Sequence, residues 1–191
     1  MCFRPVSRWW DRISRPDQIL ESLPQALRVL TDPADCGPVT LSLPQDVQTE
    51  AHEYPEAFFA PHCWKLRRLP PDAAQLAEAA DALTRAKAPL IVAGGGVHYA
   101  LAGATLGDFA ARHGVPVAET QAGKGALTWD HPCAVGAIGV TGGSAANALA
   151  AEADAVLAIG TRLSDFTTAS RTLFRNPDLR LIQLNVAATM P

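Results

Sequence analysis

The sequence predicts an α/β domain with three layers, in which a mostly parallel, Rossmann-like sheet carries helices on both faces. The first observation is a set of continuous apolar runs, at residues 89–93, 115–118, 155–159 and 179–184. The second is a set of helical patterns between and before these runs, starting at residue 72 and lying at about 100–113 and 144–152. Strands that are apolar throughout are buried on both faces, and strands alternating with helices form parallel sheets.

Local signals mark the ends of two of these helices. Asp72 precedes a segment in which Leu76, Ala79, Ala80 and Leu83 recur at helical spacing, and a carboxylate at that position caps a helix amino terminus. Gly114 follows the second helical pattern, where a glycine commonly ends a helix. We therefore assign residues 72–191 to one central α/β domain, which is expected to be truncated at its carboxyl end.

The first 71 residues have a different organisation. An amphipathic helix is predicted from Pro16 to about Leu30, and residues 39–43 alternate apolar with polar as a short strand does. Two elements do not make a domain, so residues 1–50 are interpreted as the carboxyl-terminal remnant of a preceding domain. Four prolines between residues 51 and 71 disrupt any sustained periodicity, which indicates an ordered connector.

Composition excludes several classes of function. A net charge of -3 with scattered Lys and Arg residues argues against nucleic-acid binding. No apolar run approaches the roughly 20 residues that cross a bilayer. The four cysteines are far apart and form no C-x-x-C pair, as expected for reduced thiols in the cytoplasm rather than disulfides or a zinc site.

Three loops are predicted at the carboxyl edge of the sheet, where open parallel sheets bind ligands. They are the glycines 94–96, the long segment 120–143 and residues 160–165. Glycines allow a ligand to approach the backbone, and a guanidinium pairs with phosphate. The predicted nucleotide or anion contacts are Gly94, Gly95, Gly96, Gly160 and Arg162.

A purely structural role for these residues remains open. The glycines lack the full G-x-G-x-x-G pattern and its later acidic residue, and glycines also serve to turn a strand into a helix. Arg162 has an alternative partner in Asp165 or in a neighbouring subunit.

No catalytic constellation or metal-ligand set is recognisable. Ser144 lacks a G-x-S-x-G setting, and Asp130 with His131 precedes a proline and is interpreted as a turn. Lys124, between two glycines, either contacts an anion or is simply solvated. We assign no catalytic residue and no metal ligand.

Several segments together resemble the acetolactate synthase-like, thiamine-diphosphate-dependent enzymes. They are residues 39–47, 89–97 and 160–163, in the order in which that family carries them. Residues 5–13, 43–51, 136–142 and 160–168 favour the ring-opening hydrolases of inositol catabolism within that family. The resemblance spans essentially the whole chain, and a carboligase of the acetolactate synthase type is the alternative.

The resemblance implies that residues 1–50 are the carboxyl-terminal remnant of the pyrimidine-binding domain and that residues 72–191 are the central scaffold domain of a larger parent enzyme. Thiamine diphosphate and magnesium would be held by pyrimidine-binding and pyrophosphate-binding domains that are missing here, since the sequence contains no Gly-Asp-Gly. Central domains of relatives sometimes hold FAD or ADP at the predicted edge, but we expect no flavin here. The parent would be a homodimer or homotetramer, and the isolated chain would be inactive. A free-standing nucleotide-binding module is the other alternative.

Overall fold

The computed structural model describes residues 2–186, and the chain divides into two compact units, residues 1–70 and residues 71–191. Each unit is described by itself. Met1 and residues 187–191, which the predicted domains include, lie outside the described residues.

The first unit is built on a strand, a helix and a second strand. Strand β1 spans Trp9–Arg12, helix α1 spans Ile19–Thr31 and strand β2 spans Val39–Ser42. The two strands pair in parallel, with Trp9 opposite Val39. The helix and β2 were predicted. Strand β1 was not predicted, and with α1 and β2 it forms a β-α-β unit.

Side-chain hydrogen bonds connect the α1 region to β1. Asp11 of β1 accepts hydrogen bonds from the Ser22 hydroxyl and from the Gln18 side chain, and Ser22 is buried. These bonds, that of Ser22 foremost, lower the pKa of Asp11. Because Val39 and Leu41 lie opposite Trp9 and Asp11 in register, they share the strand face that α1 covers and are half-buried.

The segment after β2 contains short 3₁₀ turns, Val47–Thr49 and Glu56–Phe59, but no strand. The Tyr54 ring packs against Phe58 and Phe59 with ring centroids 6.0 Å away in both cases. Its hydroxyl donates to the Pro16 carbonyl oxygen over 3.2 Å. This contact anchors the aromatic part of the segment to Pro16, just before α1, whereas residues 61–70 are exposed, with 37% of Trp64 accessible.

The second unit is a five-stranded parallel sheet with helices on both faces, as predicted. Its strands are β3 Pro89–Ala93, β4 Val117–Glu119, β5 Ala134–Ala137, β6 Ala155–Ile159 and β7 Arg180–Leu184. Its helices are α2 Ala73–Arg85, α3 Gly96–Tyr99, α4 Gly103–His113, α5 Ser144–Glu152 and α6 Asp165–Thr168. The strands lie in the order β5-β4-β3-β6-β7.

Each face of the sheet has its own core. Leu90, Val92 and Val156 point to one face and pack with Ala146 and Ala150 of α5. Ile91, Ala93 and Val117 point to the other face and pack with Leu106 and Ala110 of α4. This alternation is the reason that the predicted strands are continuously apolar.

The boundaries confirm most predictions and correct others. Asp72 caps α2 through backbone N–H groups of Ala74 and Gln75, and Gly114 ends α4 at φ +65°. The helix predicted at 100–113 is α4, which begins at Gly103, and the short helix α3 before it was not predicted. Strand β4 lies one to two residues after the predicted run. The long loop predicted at 120–143 was partly wrong, because it contains β5.

Among residues 2–186, no helix has both the length and the apolar character needed to span a membrane.

Candidate functional site

The strand order places the predicted site at the centre of the sheet. Strands β3 and β6 are neighbours, although β4 and β5 separate them in sequence, so the order of the strands reverses between them. In open α/β sheets, ligands bind in the crevice outside the carboxyl ends of the strands at such a point. Gly94–Gly96 follow β3 and Gly160–Arg162 follow β6, so the topology brings the five predicted residues to this position.

Three of the predicted glycines pack directly against one another. A Cβ atom built on Gly160 would lie 2.5 Å from the Cα of Gly96, and one built on Gly94 would lie 2.4 Å from the carbonyl oxygen of Gly160. Gly160 also has φ +58°, a left-handed conformation that glycine adopts without strain. The glycines are therefore needed for the close approach of two loops.

In the same region, two backbone N–H groups that could bind a phosphate donate to carbonyl oxygens of the protein instead. The Gly94 N–H donates to Ile159 O over 2.8 Å, and the Gly96 N–H donates to Gly160 O over 3.0 Å. The third glycine, Gly95, lies close to Ala122, with 3.2 Å between its added Cβ and the Ala122 Cβ. Gly94 is thus buried, whereas Gly95 and Gly96 remain partly exposed.

Arg162 is the cationic group of this edge. Its side chain is exposed, and within the described residues it forms no ion pair with Asp165, whose carboxylate accepts a hydrogen bond from Ser170. The next residue, Leu163, has φ +46°, in the left-handed region that costs a residue with a Cβ atom roughly 1–2 kcal/mol. That kink leaves the Arg162 guanidinium in solvent while the Leu163 side chain packs against the core.

The loop after β4 is organised by a residue that the sequence analysis missed. Glu119, at the end of β4, accepts backbone hydrogen bonds from Gly125 and Leu127 over 3.1 and 3.2 Å. The sequence signal that could have found Glu119 is an acidic residue at the end of an apolar run. Lys124 lies between these contacts, with an exposed side chain and a carbonyl oxygen 3.1 Å from His98 Nε2.

Asn147 of α5 organises the loop after β5. Its side-chain oxygen accepts from the Gly139 N–H, and its side-chain nitrogen donates to the Gly139 carbonyl oxygen, both over 3.0 Å. Gly139 has φ +106°, and an added Cβ would lie 2.2 Å from Phe166 O. This loop therefore requires both residues.

The β4–β5 connection contains an acidic and a histidine side chain that are candidates for chemistry at this edge. Asp130 and His131 form a turn, as predicted, with the His131 N–H donating to Thr128 O. Across residues 2–186, no group of three or more His, Cys, Asp or Glu side chains could hold a metal ion. The residues present do not fit thiamine diphosphate with its magnesium ion.

Two open grooves lie away from the five predicted residues. One, of about 440 Å³, is lined by residues of α2 and by Arg180, Leu181 and Ile182 of β7. The other, of about 350 Å³, lies between α5 and residues 169–175. Neither includes Gly94, Gly95, Gly96, Gly160 or Arg162.

Comparison with known families identifies the domain that contains this sheet. Residues 76–190 match the family described as the central domain of thiamine pyrophosphate enzymes. The chain belongs to this family. The match begins in α2 and takes in the strands and helices that follow, so the five-stranded unit is the thiamine pyrophosphate enzyme central domain.

The relatives of this central domain are longer proteins. The chain is 48% identical over 185 residues to the 3D-(3,5/4)-trihydroxycyclohexane-1,2-dione hydrolase of Clostridium perfringens, which covers 97% of this chain and 29% of that protein. The hydrolase of the same name from Bacillus thuringiensis is 49% identical with the same coverage. The chain thus spans less than a third of the length of these relatives.

A solved structure is similar to this chain in its fold. The X-ray structure of a protein isolated from Mycobacterium smegmatis, assigned as a thiamin diphosphate-dependent enzyme, superposes with a TM-score of 0.73 at 25% identity. The superposition covers 94% of this chain and 34% of that protein. Both comparisons match the chain to a part of a longer protein.

Proposed function

We propose that this chain is the central scaffold segment of a thiamine-diphosphate-dependent parent enzyme that hydrolyses a C–C bond of a trihydroxycyclohexane-1,2-dione. The observation that carries the proposal is the match over 97% of the chain, at 48–49% identity, to hydrolases with that substrate in their names. The match includes the first unit, outside the central domain, so it reaches beyond the common fold.

A scaffold role agrees with the geometry of the edge. The three packed glycines join the loops after β3 and β6, and the hydrogen bonds of Glu119 and Asn147 fix the loops after β4 and β5. These contacts hold loops in place and leave no nucleophile paired with a base. The reacting groups, thiamine diphosphate and magnesium would belong to pyrimidine-binding and pyrophosphate-binding regions of the parent.

A small ligand of this segment, if the parent uses one, would lie at the edge formed by Gly94, Gly95, Gly96, Gly160 and Arg162. The free guanidinium of Arg162 suits an anion, such as the phosphate of an adenine nucleotide. We propose that the parent is isolated without FAD, because two of the glycine N–H groups are already used by backbone carbonyls. A yellow protein with a flavin absorption spectrum would contradict this.

Two other functions are less well supported. An acetolactate synthase-like carboligase shares the family, but the relatives named above are hydrolases. A free-standing nucleotide-binding module would need an open phosphate site, whereas the glycine loops are in mutual contact. We further propose that the parent is a cytoplasmic homodimer or homotetramer, and the separate, unpaired thiols agree with a reducing compartment.

The decisive experiment compares the isolated chain with the parent polypeptide. The parent should open the cyclic dione in a reaction that needs added thiamine diphosphate and magnesium. The chain alone should give no saturable heat with the same cofactors in calorimetry and no turnover. Micromolar cofactor binding by the chain alone, or a parent that forms acetolactate and leaves the dione intact, would overturn the proposal.

A further inference from the structure

Three successive residues after α6 have a left-handed backbone although none of them is glycine. Ala169, Ser170 and Arg171 have φ values of +48°, +55° and +64°. In this region the Cβ atom comes too close to the following carbonyl oxygen, so residues other than glycine occur there singly and not in runs. We call residues 169–171 the left-handed turn. Its strain persists only because the surrounding structure offsets it.

The local sequence favours a different structure for the left-handed turn. The stretch from 165 to 176 contains no glycine or proline, and Pro177, which follows it, is a helix-stop signal. Within the stretch, Phe166, Ala169 and Leu173 lie at i, i+3 and i+7, the spacing of one helical face. These signals predict a continuous helix, whereas α6 has only four residues. A conflict between local preference and the observed fold is expected at functional or strained sites.

Side-chain contacts hold the left-handed turn in place. The Thr168 hydroxyl accepts the Arg171 N–H over 3.2 Å and donates to Ser164 O, also over 3.2 Å. Leu173, directly after the turn, is buried and packs in the core that includes α5. Its N–H donates to Thr168 O over 3.2 Å. The hydroxyl bonds and the burial of Leu173 therefore offset the strain.

A right-handed helix would also give every backbone donor of this segment a partner. In the structure, the N–H groups of residues 170–172 donate, in order, to Asp165 O, Thr168 Oγ1 and Ala169 O. In an α-helix each N–H donates to the carbonyl oxygen four residues earlier, so the acceptors would be the carbonyl oxygens of residues 166–168. Three hydrogen bonds replace three. The two arrangements therefore differ mainly in backbone strain, which favours the helix, and in the contacts of Thr168 and Leu173, which favour the turn.

We propose that residues 164–175 are a two-state element, in which the left-handed turn exchanges with a right-handed continuation of α6. The element is a property of this chain and goes beyond the proposed function. The left-handed state is the major one, and the helical state is the minor one. Minor states of two-state proteins commonly hold roughly 0.1–10% of the molecules.

The two-state element touches other parts of the central domain at both ends. Phe166 O accepts the Val140 N–H over 2.9 Å, and in the helical state the same oxygen would also face the Ser170 N–H. At the other end, residues 169–175 form one wall of the groove of about 350 Å³ on α5. The exchange would therefore change the groove and the loop after β5 together.

NMR relaxation dispersion and saturation transfer on the full 191-residue chain test the proposal, because they detect minor states that exchange in microseconds to milliseconds. The amides of residues 169–173 and of Val140 should exchange with one common rate. The minor-state Cα chemical shifts of residues 169–171 should be helical. Random-coil shifts would mean local unfolding and would overturn the proposal. A flat profile at Val140 would overturn the coupling to the loop after β5.

Glycine substitutions should shift the balance toward the left-handed state. Ala169→Gly and Arg171→Gly remove the cost of the left-handed backbone and add a cost in the helix, so each should lower the minor population by roughly tenfold or more. Asp178→Gly, at an exposed position outside the element, is the matched control and should leave the exchange unchanged. Exchange in Ala169→Gly and Arg171→Gly equal to that of the wild type would contradict the proposal.

Thr168→Val should shift the balance in the opposite direction. It keeps the branched shape but removes the hydroxyl that accepts the Arg171 N–H only in the left-handed state. The loss of one hydrogen bond should raise the minor population by about two- to tenfold. A lower melting temperature with unchanged exchange would mean that the hydroxyl is merely structural and that the proposal is wrong. Absence of exchange in both the wild type and Thr168→Val would likewise overturn it, because the segment would then have a single state.

Discussion

The backbones of Gly96 and Gly160 are in direct contact: the Gly96 N–H donates to Gly160 O over 3.0 Å, and a Cβ on Gly160 would lie 2.5 Å from Gly96 Cα. Gly160→Ala should therefore destabilise the central domain for two reasons. The left-handed φ costs roughly 1–2 kcal/mol for a residue with a Cβ atom. The clash with backbone adds about 1–3 kcal/mol, the usual cost of overpacking.

Gly114→Ala separates these two costs. Gly114 has φ +65°, close to the +58° of Gly160, but no atom lies within 4 Å of its added Cβ. Chemical denaturation of both variants should show the larger loss of unfolding free energy for Gly160→Ala. Equal losses would mean that only the conformational cost matters and that the two loops can move apart.

The Asp154 carboxylate predicts a pH effect on stability. It accepts the Lys87 and Ala88 backbone N–H groups over 2.8 and 2.9 Å, and these bonds, that of Lys87 first, lower its pKa from 3.8. Since the folded pKa is the lower one, the stabilisation is present above about pH 4 and is lost as the pH falls through the folded pKa.

Asp154→Asn should therefore lose less stability on acidification than the wild type does. Urea denaturation at about pH 6 and about pH 3 measures this change in the free energy of unfolding. By linkage, the change equals the difference in proton binding between the unfolded and native states, integrated over that pH range. Asp178→Asn, at an exposed position in the connection entering β7, is the control for removing one negative charge. An equal loss of unfolding free energy between the two pH values for wild type and Asp154→Asn would contradict the prediction.

Limited proteolysis should cut in the exposed segment at the end of the first unit. Residues 61–70 are exposed and contain neither helix nor strand, and Lys65 and Arg67 lie within them. Exposed irregular segments are preferred sites of proteolytic nicking. Trypsin should therefore cleave after these residues first and release a resistant piece that contains the central domain.

Lys87 is the internal control for that digest. Its side chain is exposed, but its backbone N–H is bound by Asp154, directly before β3. Mass spectrometry of early time points should show cuts at 65–68 before any cut at 87. A first cut at Lys87 would mean that the α2–β3 connection opens more readily than the connector.

Elements with strong local signals were the most predictable from the sequence. The strands β3 and β6 and the capped helix α2 follow from continuous apolar runs and from Asp72, which are local signals. Strand β1 was missed because Trp-Trp-Asp-Arg shows no clear period and depends on pairing with β2, in which Trp9 lies opposite Val39, 30 residues later. Strand β5 was missed because it lies at the sheet edge and contains Gly136 at φ +82°.

The candidate site was predictable in position but not in geometry. Glycines after two buried strands indicate a common edge, but only the β3–β6 adjacency shows that Gly94, Gly96 and Gly160 pack on one another. The same limit applies to Glu119 and Asn147. Their partners are backbone groups of loops, and a sequence pattern carries no signal for those contacts.

The first unit should be less stable than the central domain. Strand β2 pairs only with β1, in a two-stranded sheet, whereas β3 lies between β4 and β6. Two-stranded sheets are marginal by themselves, so the stability of this one depends on its packing against α1. The amide of Leu41 should therefore exchange faster than that of Val92, which is fully buried.

Hydrogen exchange at dilute concentration measures this difference, and Leu157 in β6 serves as a second core reference. If exchange at Leu41 slows as the chain is concentrated, the free edge of β2 is pairing with another copy, as exposed strand edges do. Protection of Leu41 equal to that of Val92 and Leu157 at every concentration would contradict the prediction. It would mean that the contact of Asp11 with Ser22 and the packing of α1 stabilise the first unit as fully as the central sheet.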